Sequence, residues 1–447
     1  MKKMFSAFAL CAAFGIAAAI PAPSSAVEVM STPTGVLAYD KTRAMEGYTL
    51  ISPMIGPVSY LIDMEGNIVH QWKTAGRPGL YAELLPNGNL LRGLRYENKV
   101  PFGGMTGCLQ EIDWDGNVVW EHKTYDEAIA KGRIPDTLPK PGTDTGHKPN
   151  YDGFWSDYII EVDQAGNEVW SWHAWDHIGT GEDQFDINYR LPIANYYGDS
   201  DWMHINSVRY NPELDQVLIN ARNFAESFIV THDKEGKVLW RFGNPTAYGQ
   251  GKKPGYCDDG DEIMFGSHDA TWIGNDKIAI FDNGWQRPMA NRSRALIVDI
   301  KTKNIDWQYA ARNQNSFYSA YQGSTQVLPN GNVLITSTAT GHIFEVTQTD
   351  KPDIVWEYVN PFTLRGVPKP MLTEKDAIPD PEGLEDINIM FNIVHRAFRY
   401  APDYPGLQGK DLSQKLVLFP DAPKWYEVYD KAYLYKDALP KEEKAAK

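Results

Sequence analysis

The sequence predicts an all-β fold, a six-bladed β-propeller, on three observations. First, one phrase, Asp-x-x-Gly-x-x-hydrophobic-Trp, is written six times with small variations. The intervals between its tryptophans are 48, 50, 70, 67 and 49 residues. A period of about 40–50 residues built from short strands and tight turns marks a propeller blade. Second, a turn of the form Leu-Pro-Asn-Gly-Asn occurs at Leu85 to Asn89 and again at Leu328 to Asn332, with a degraded copy at Ile273 to Asp276; Asn-Gly is the strongest short hairpin signal. Third, the chain carries 14 tryptophans and 12% aromatic residues, enough large rings to fill the wedges between neighbouring sheets.

Taken in order, the chain opens with Lys2-Lys3, an apolar run from Met4 to Ile20, and Pro21 to Ala26. A charged start, a short apolar stretch and a small-residue end predict a secretory signal peptide over 1–26, cleaved near Ala26, and hence a secreted, periplasmic protein. Residues 27–47 read as a lead-in segment. The propeller is expected over 48–402, with strands at Tyr48 to Ser52 and Ser59 to Asp63, and a closing strand at about 387–400 that completes the ring. The phrase copies are Asp63 to Trp72, Asp113 to Trp120, Asp163 to Trp170, Asp233 to Trp240, Asp299 to Trp307 and Thr347 to Trp356. Between Trp120 and Trp170 the pattern falters: 125–131 looks helical, 135–153 is a Pro/Gly/Asp loop, and this blade reads as a strand short. Insertions at 174–203 and 241–262 account for the two long intervals and should rim one mouth of the channel, where binding residues collect. Residues 403–447 form a C-terminal extension.

With Lys2 and Lys3 removed, 41 basic residues face 58 acidic ones, a net charge of −17. Such a surface disfavours nucleic acid and anionic membranes, and an anionic ligand must be drawn in by a local positive site. Cys108 and Cys257 survive processing and have the option of one disulfide; no cysteine pattern suggests a structural metal, and no cofactor is expected.

Three histidines stand at comparable points. His204 opens one inner strand in Asp201-Trp202-Met203-His204-Ile205-Asn206-Ser207, His268 opens the next in Gly266-Ser267-His268-Asp269, and His395 begins a third in Val394-His395-Arg396. Innermost strands of a propeller face one channel, so matched positions converge. Arg222 and Arg287 are read at the ends of the strands that His204 and His268 begin. Histidine with arginine suits an oxyanion: the guanidinium is a fixed fork of donors, and imidazole donates, titrates or attacks. Trp285, Tyr318 and Tyr321 are candidates to stack an aryl ring near the mouth. The plain alternative is a satisfied core histidine at each strand start. Two further readings stay open: a non-catalytic propeller that binds a small anion or peptide, and a metal-dependent hydrolase or lyase with His204, His268 and His395 as ligands.

At these residues the sequence resembles the bacterial arylsulfate sulfotransferase (arylsulfotransferase) family. The resemblance rests on Gly47-Tyr48-Thr49-Leu50, Asp176-His177, Trp202 to Ser207, Ser267-His268-Asp269, Phe281 to Gly284 and Gly341 to Val346. It implies a periplasmic six-bladed propeller that transfers a sulfuryl group from a phenolic sulfate donor to a phenol acceptor, without a nucleotide donor, through a sulfurylated histidine. It also implies that His204 and His268 are active-site histidines and Arg287 an anion-binding arginine. On this reading His204 and Arg287 hold sulfuryl oxygens and His268 moves the phenol proton. The family's sulfurylated histidine lies one blade beyond Arg287. The matching strand here, Phe317 to Gly323, has none, so His395 is the nucleophile nominated on phase. A homodimer is left open.

Overall fold

The computed structural model describes residues 34–418 except 55–56, 75, 77, 95–106, 124–155, 180, 187–200, 314–315 and 363–391, together with residues 424 and 426. The expected signal peptide, the helix at 125–131, the loop at 135–153 and the end of the C-terminal extension lie outside the described residues. Among those described, no helix is long and apolar enough to cross a membrane.

An edge strand β1 (Gly35–Tyr39) is followed by β2 (Tyr48–Pro53), β3 (Val58–Ile62) and β4 (Ile68–Lys73). A second sheet holds β5 (Pro78–Leu84), β6 (Leu90–Leu94), β7 (Cys108–Ile112) and β8 (Val118–Lys123). A lone pair follows, β9 (Tyr158–Val162) with β10 (Glu168–His173). Next comes the sheet β11 (Ile205–Asn211), β12 (Gln216–Ala221), β13 (Glu226–Thr231) and β14 (Val238–Phe242). Its neighbour contains β15 (His268–Ile273), β16 (Lys277–Asp282), β17 (Arg294–Asp299) and β18 (Ile305–Tyr309). The last is β19 (Ser324–Val327), β20 (Val333–Ser337), β21 (His342–Val346) and β22 (Ile354–Val359), to which β1 adds a fifth strand. The final strand, β23 (Val394–Tyr400), returns to pair with β2 as the innermost strand of the first sheet.

Among the described residues this is an all-β propeller with five blades of four or five strands, not six. The third phrase copy, Asp163 to Trp170, sits on the two-stranded β9–β10 sheet. The physical reason is that the phrase encodes only the hairpin of a blade's third and fourth strands. Counting phrases therefore counts outer hairpins, whereas a blade also needs an inner pair. The residues between β8 and β9 that could supply one lie outside the described set.

The phrase owes its recurrence to two jobs. Within the hairpin, Asp63 Oδ1 accepts from the backbone N–H of Glu65 and of Asn67, both at 2.9 Å, and Gly66 takes φ +83°, open to glycine at no steric cost. Between sheets, each phrase tryptophan donates its indole N–H to a carbonyl in the next copy's turn. Trp72 reaches Asp113, Trp120 reaches Gln164, Trp170 reaches Asp233, Trp240 reaches Ile300, Trp307 reaches Thr349 and Trp356 reaches Met64, at 2.8–3.1 Å. The last bond joins the sixth phrase copy back to the first. Apolar clusters fill the wedges: Leu218, Ile229 and Trp240 pack with Ile278, Leu296 and Val298, and Trp356 and Ile343 with Ile51, Tyr60 and Ile62. Each such side chain, fully buried, contributes about 1.5–3 kcal/mol. Cys108 is buried on β7 and Cys257 exposed, and both are free, so the optional disulfide is not formed.

Candidate active site at the channel mouth

Antiparallel pairing puts equivalent points of the inner strands at one end of the ring. His204 immediately precedes β11, His268 is the first residue of β15, Gln322 closely precedes β19 and His395 is the second residue of β23. The sequence-predicted histidines therefore share a mouth.

His204 adopts φ +55°, a left-handed conformation that a histidine tolerates only with local support. Asp157 gives that support: its carboxylate accepts from the backbone N–H of His204 at 3.2 Å and of Ile205 at 2.9 Å. Burial, reinforced by nearby Asp201, holds the Asp157 carboxyl above the usual carboxylate range. The His204 ring pairs through Nδ1 with Asp201 Oδ2 at 2.6 Å.

His268 is buried, and both ring nitrogens are engaged. Asn283 donates through Nδ2 to the carbonyls of Ser319 and Gln322, at 2.8 and 2.7 Å, so its Oδ1 faces the ring as an acceptor. Nδ1–H of His268 therefore donates to Asn283 Oδ1 at 2.7 Å, and Nε2 accepts the Gln322 N–H at 3.2 Å. This fixes a neutral tautomer. Burial above all, then the Arg222 charge, keeps the ring's pKa well below the ordinary histidine value.

His395 is also buried, but among the described residues its Nδ1 has no hydrogen-bond partner. Its pKa too is well below the usual value, because of burial first and then Arg396, His268 and Arg209. A neutral imidazole with a free ring nitrogen is the form able to attack an electrophile.

The guanidinium of Arg222 lies 4.7 Å over the Trp285 ring and donates to Asn223 Oδ1 at 2.9 Å. Half-buried Tyr318 feels the same charge, and burial raises its phenol pKa. Tyr321 is half-buried beside it, its carbonyl accepting the Ser319 hydroxyl at 2.7 Å. Arg287 is placed differently. It bonds Asp282 and Asp259, each at 2.6 Å, donates to the Ile263 carbonyl at 3.1 Å and stacks on Phe265 at 4.4 Å. Its charge is committed to carboxylates, so Arg222 is the predicted arginine that stands with the histidines.

Sequence reasoning missed several members. Arg396 lies 3.1 Å from Asp269 and donates to the Asn206 carbonyl at 2.8 Å. Arg209 is 3.7 Å from the same Asp269 and donates to the Tyr81 hydroxyl at 2.8 Å. Asp157, Asp201 and Asn283 are likewise part of the site. Asp201, three residues before His204, Arg396, next to His395, and Asn283, inside the Phe281 to Gly284 motif, carried local signals; Arg209 and Asp157 did not. No group of three or more His, Cys, Asp or Glu able to hold a metal occurs among the described residues, and the His268 ring has no lone pair to spare for one.

Fold and site together define a propeller whose channel mouth gathers neutral imidazoles and guanidinium groups, a class suited to oxyanion chemistry. The family model described as arylsulfotransferase (ASST) matches residues 139–361, and over that half of its length the chain belongs to this family. No curated protein matches it. Among solved structures, a protein of unknown function from Bacteroides caccae is 12% identical, with TM-score 0.42, covering 70% of this chain and 93% of its own. Virginiamycin B lyase from Staphylococcus aureus is 10% identical, with TM-score 0.38, covering 74% of this chain and 86% of its own. The β-propeller domain of Cps50 (Swd1) from Myceliophteria thermophila is 10% identical, with TM-score 0.39, covering 74% and 90%.

Proposed function

We propose that this protein, exported to the periplasm, transfers a sulfuryl group from an aryl sulfate to a phenol through a covalent sulfohistidine on His395. The observation that carries the reading is the buried, neutral His395 ring with an unpartnered Nδ1 at the same mouth as His204, His268 and Arg222. In the first half-reaction the His395 lone pair attacks sulfur, the S–O(aryl) bond breaks, and its electron pair leaves with the phenol oxygen. In the second, the acceptor oxygen attacks sulfur and the N–S bond returns its pair to the imidazole.

Each neighbour has a part. The Asp201–His204 pair donates a proton to the departing phenolate and takes one from the incoming phenol, the work of a positioned general acid–base. Arg222 supplies positive charge for the sulfuryl oxygens, a donor placed where negative charge develops in the transition state. Trp285, over which Arg222 lies, and Tyr318 offer flat faces to the aryl ring. His268, with both nitrogens occupied, holds the β19 approach in place through the Gln322 N–H. Arg287 fixes the loop between β16 and β17.

The test is turnover of 4-nitrophenyl sulfate by the purified protein with and without phenol. Nitrophenol release that depends on the acceptor supports the reading. Tight ligand binding with no release under either condition identifies a non-catalytic anion-binding propeller instead.

A further inference from the structure

We infer that the chain has a second anion site, outside the histidine cluster, that takes a small aromatic oxyanion such as an aryl sulfonate or carboxylate. It is a cavity of about 180 Å³ lined by Arg292, Ser293, Arg294, Gln308, Arg312 and Phe317, with Ala310 and Ala311. Three guanidinium groups converge there on a chain whose net charge is −15. That local reversal of sign is the first indication of an anionic occupant.

The three arginines are not equally committed. Arg294 is a structural wall: it bonds Asp282 through Nε at 2.9 Å and Nη2 at 2.7 Å, and also the Ile263 carbonyl and Gln308. Arg312 is 77% exposed and only 3.9 Å from Asp353, which itself pairs more closely with Arg43 at 3.1 Å. An exposed pair of that length holds its partners only weakly, so Arg312 can turn to a ligand. Arg292 makes no side-chain hydrogen bond or ion pair among the described residues. Two open forks of donors thus face a cavity that has no carboxylate in its lining.

Size and polarity choose the ligand. A cavity of about 150 Å³ is known to hold benzene, so this one admits one ring, with its charged head left at the arginines. Phe317, Ala310 and Ala311 provide the apolar side for that ring. Inorganic sulfate would leave this side unfilled.

The place is also defined. His268 pairs with Phe281, and Phe281 with Ala295, in one row across the blade. Two strand spacings put the cavity about 10 Å outward from His268, at the same end of the sheet. Ser293, in the cavity wall, donates to the Asn283 carbonyl at 2.9 Å, and Asn283 holds His268. The two sites share a wall but no ligand-facing residue, so the second does not depend on the first being catalytic.

The experiment is calorimetric titration of benzenesulfonate into the whole protein and into the Arg292→Ala/Arg312→Ala variant, with thermal melts to verify folding. We expect one class of site in the parent to weaken at least tenfold in the variant, while turnover of 4-nitrophenyl sulfate, if present in the parent, persists. Unchanged affinity and stoichiometry in a folded variant overturn the assignment. A parallel titration with inorganic sulfate should show weaker binding at this site; equal affinity overturns the aromatic part of it. Should the double variant fail to fold, crystals of the parent soaked in 4-bromobenzenesulfonate give the same answer. A bromine peak between Phe317 and Ala310 supports the site, and an empty cavity refutes it.

Discussion

Replacing His395 by asparagine should remove a measurable part of the protein's sensitivity to acid. In the native state this ring is neutral, because burial first, and then the charges of Arg396 and Arg209, oppose its protonation. In the unfolded chain it takes up a proton near its ordinary value of 6.5. The folded pKa is therefore depressed. The associated stability is fully present above pH 6.5 and is lost as pH falls, since the unfolded state gains protons that the native state refuses. From pH 6.5 to 5.5 one such ring costs about 1 kcal/mol, at 1.36 kcal/mol per unit once the unfolded group is mostly charged. Urea titrations of the parent and of His395→Asn at these two values isolate that contribution, because His268 and the remaining titratable groups stay in both proteins. The parent should lose about 1 kcal/mol more than the variant. Equal losses would mean that His395 accepts a proton in the folded protein, and a protonated ring has no lone pair with which to attack sulfur.

Other substitutions probe separate parts of the account. Asp201→Asn, which removes the carboxylate 2.6 Å from His204 Nδ1, should lower kcat for aryl sulfate turnover roughly 10²–10⁴-fold with little change in KM; an unchanged kcat excludes this pair as the acid–base. Glu226→Gln strips the two-point partner, at 2.7 and 2.8 Å, from buried Arg241, and an uncompensated buried charge should cost about 3–5 kcal/mol in urea unfolding. Gly323→Ala forces a Cβ to 2.6 Å from the Phe281 ring at φ +112°. It should destabilise the protein by roughly 1–3 kcal/mol, read as a lower thermal midpoint.

The hairpins were legible in the sequence because their causes are local. An Asp that caps its own turn, a glycine at positive φ and a tryptophan at fixed spacing are all contained in about ten residues. What the tryptophan bonds to is not local, yet its regularity betrays it: Trp72 and Trp356 make the same bond to different copies of one turn. The blade number was misread because a repeated outer hairpin says nothing about the inner pair that makes it a blade. In the site, matched phase along inner strands brought His204, His268 and His395 to attention. Partners were beyond reach where they come from another blade or a loop. Asp259, which occupies Arg287, lies 28 residues away, and Asp157, which props the His204 backbone, lies 47 away. Nor can sequence tell which of Arg222 and Arg287 is bound to carboxylates; in the fold it is Arg287, through Asp259 and Asp282.

The most direct measurement is intact mass spectrometry of the protein quenched after brief exposure to 4-nitrophenyl sulfate without acceptor, followed by peptide mapping. The account predicts one added sulfuryl group per chain, located on His395, discharged by phenol and missing in His395→Asn. A stable adduct on another residue, or acceptor-dependent turnover that survives in His395→Asn, would contradict it.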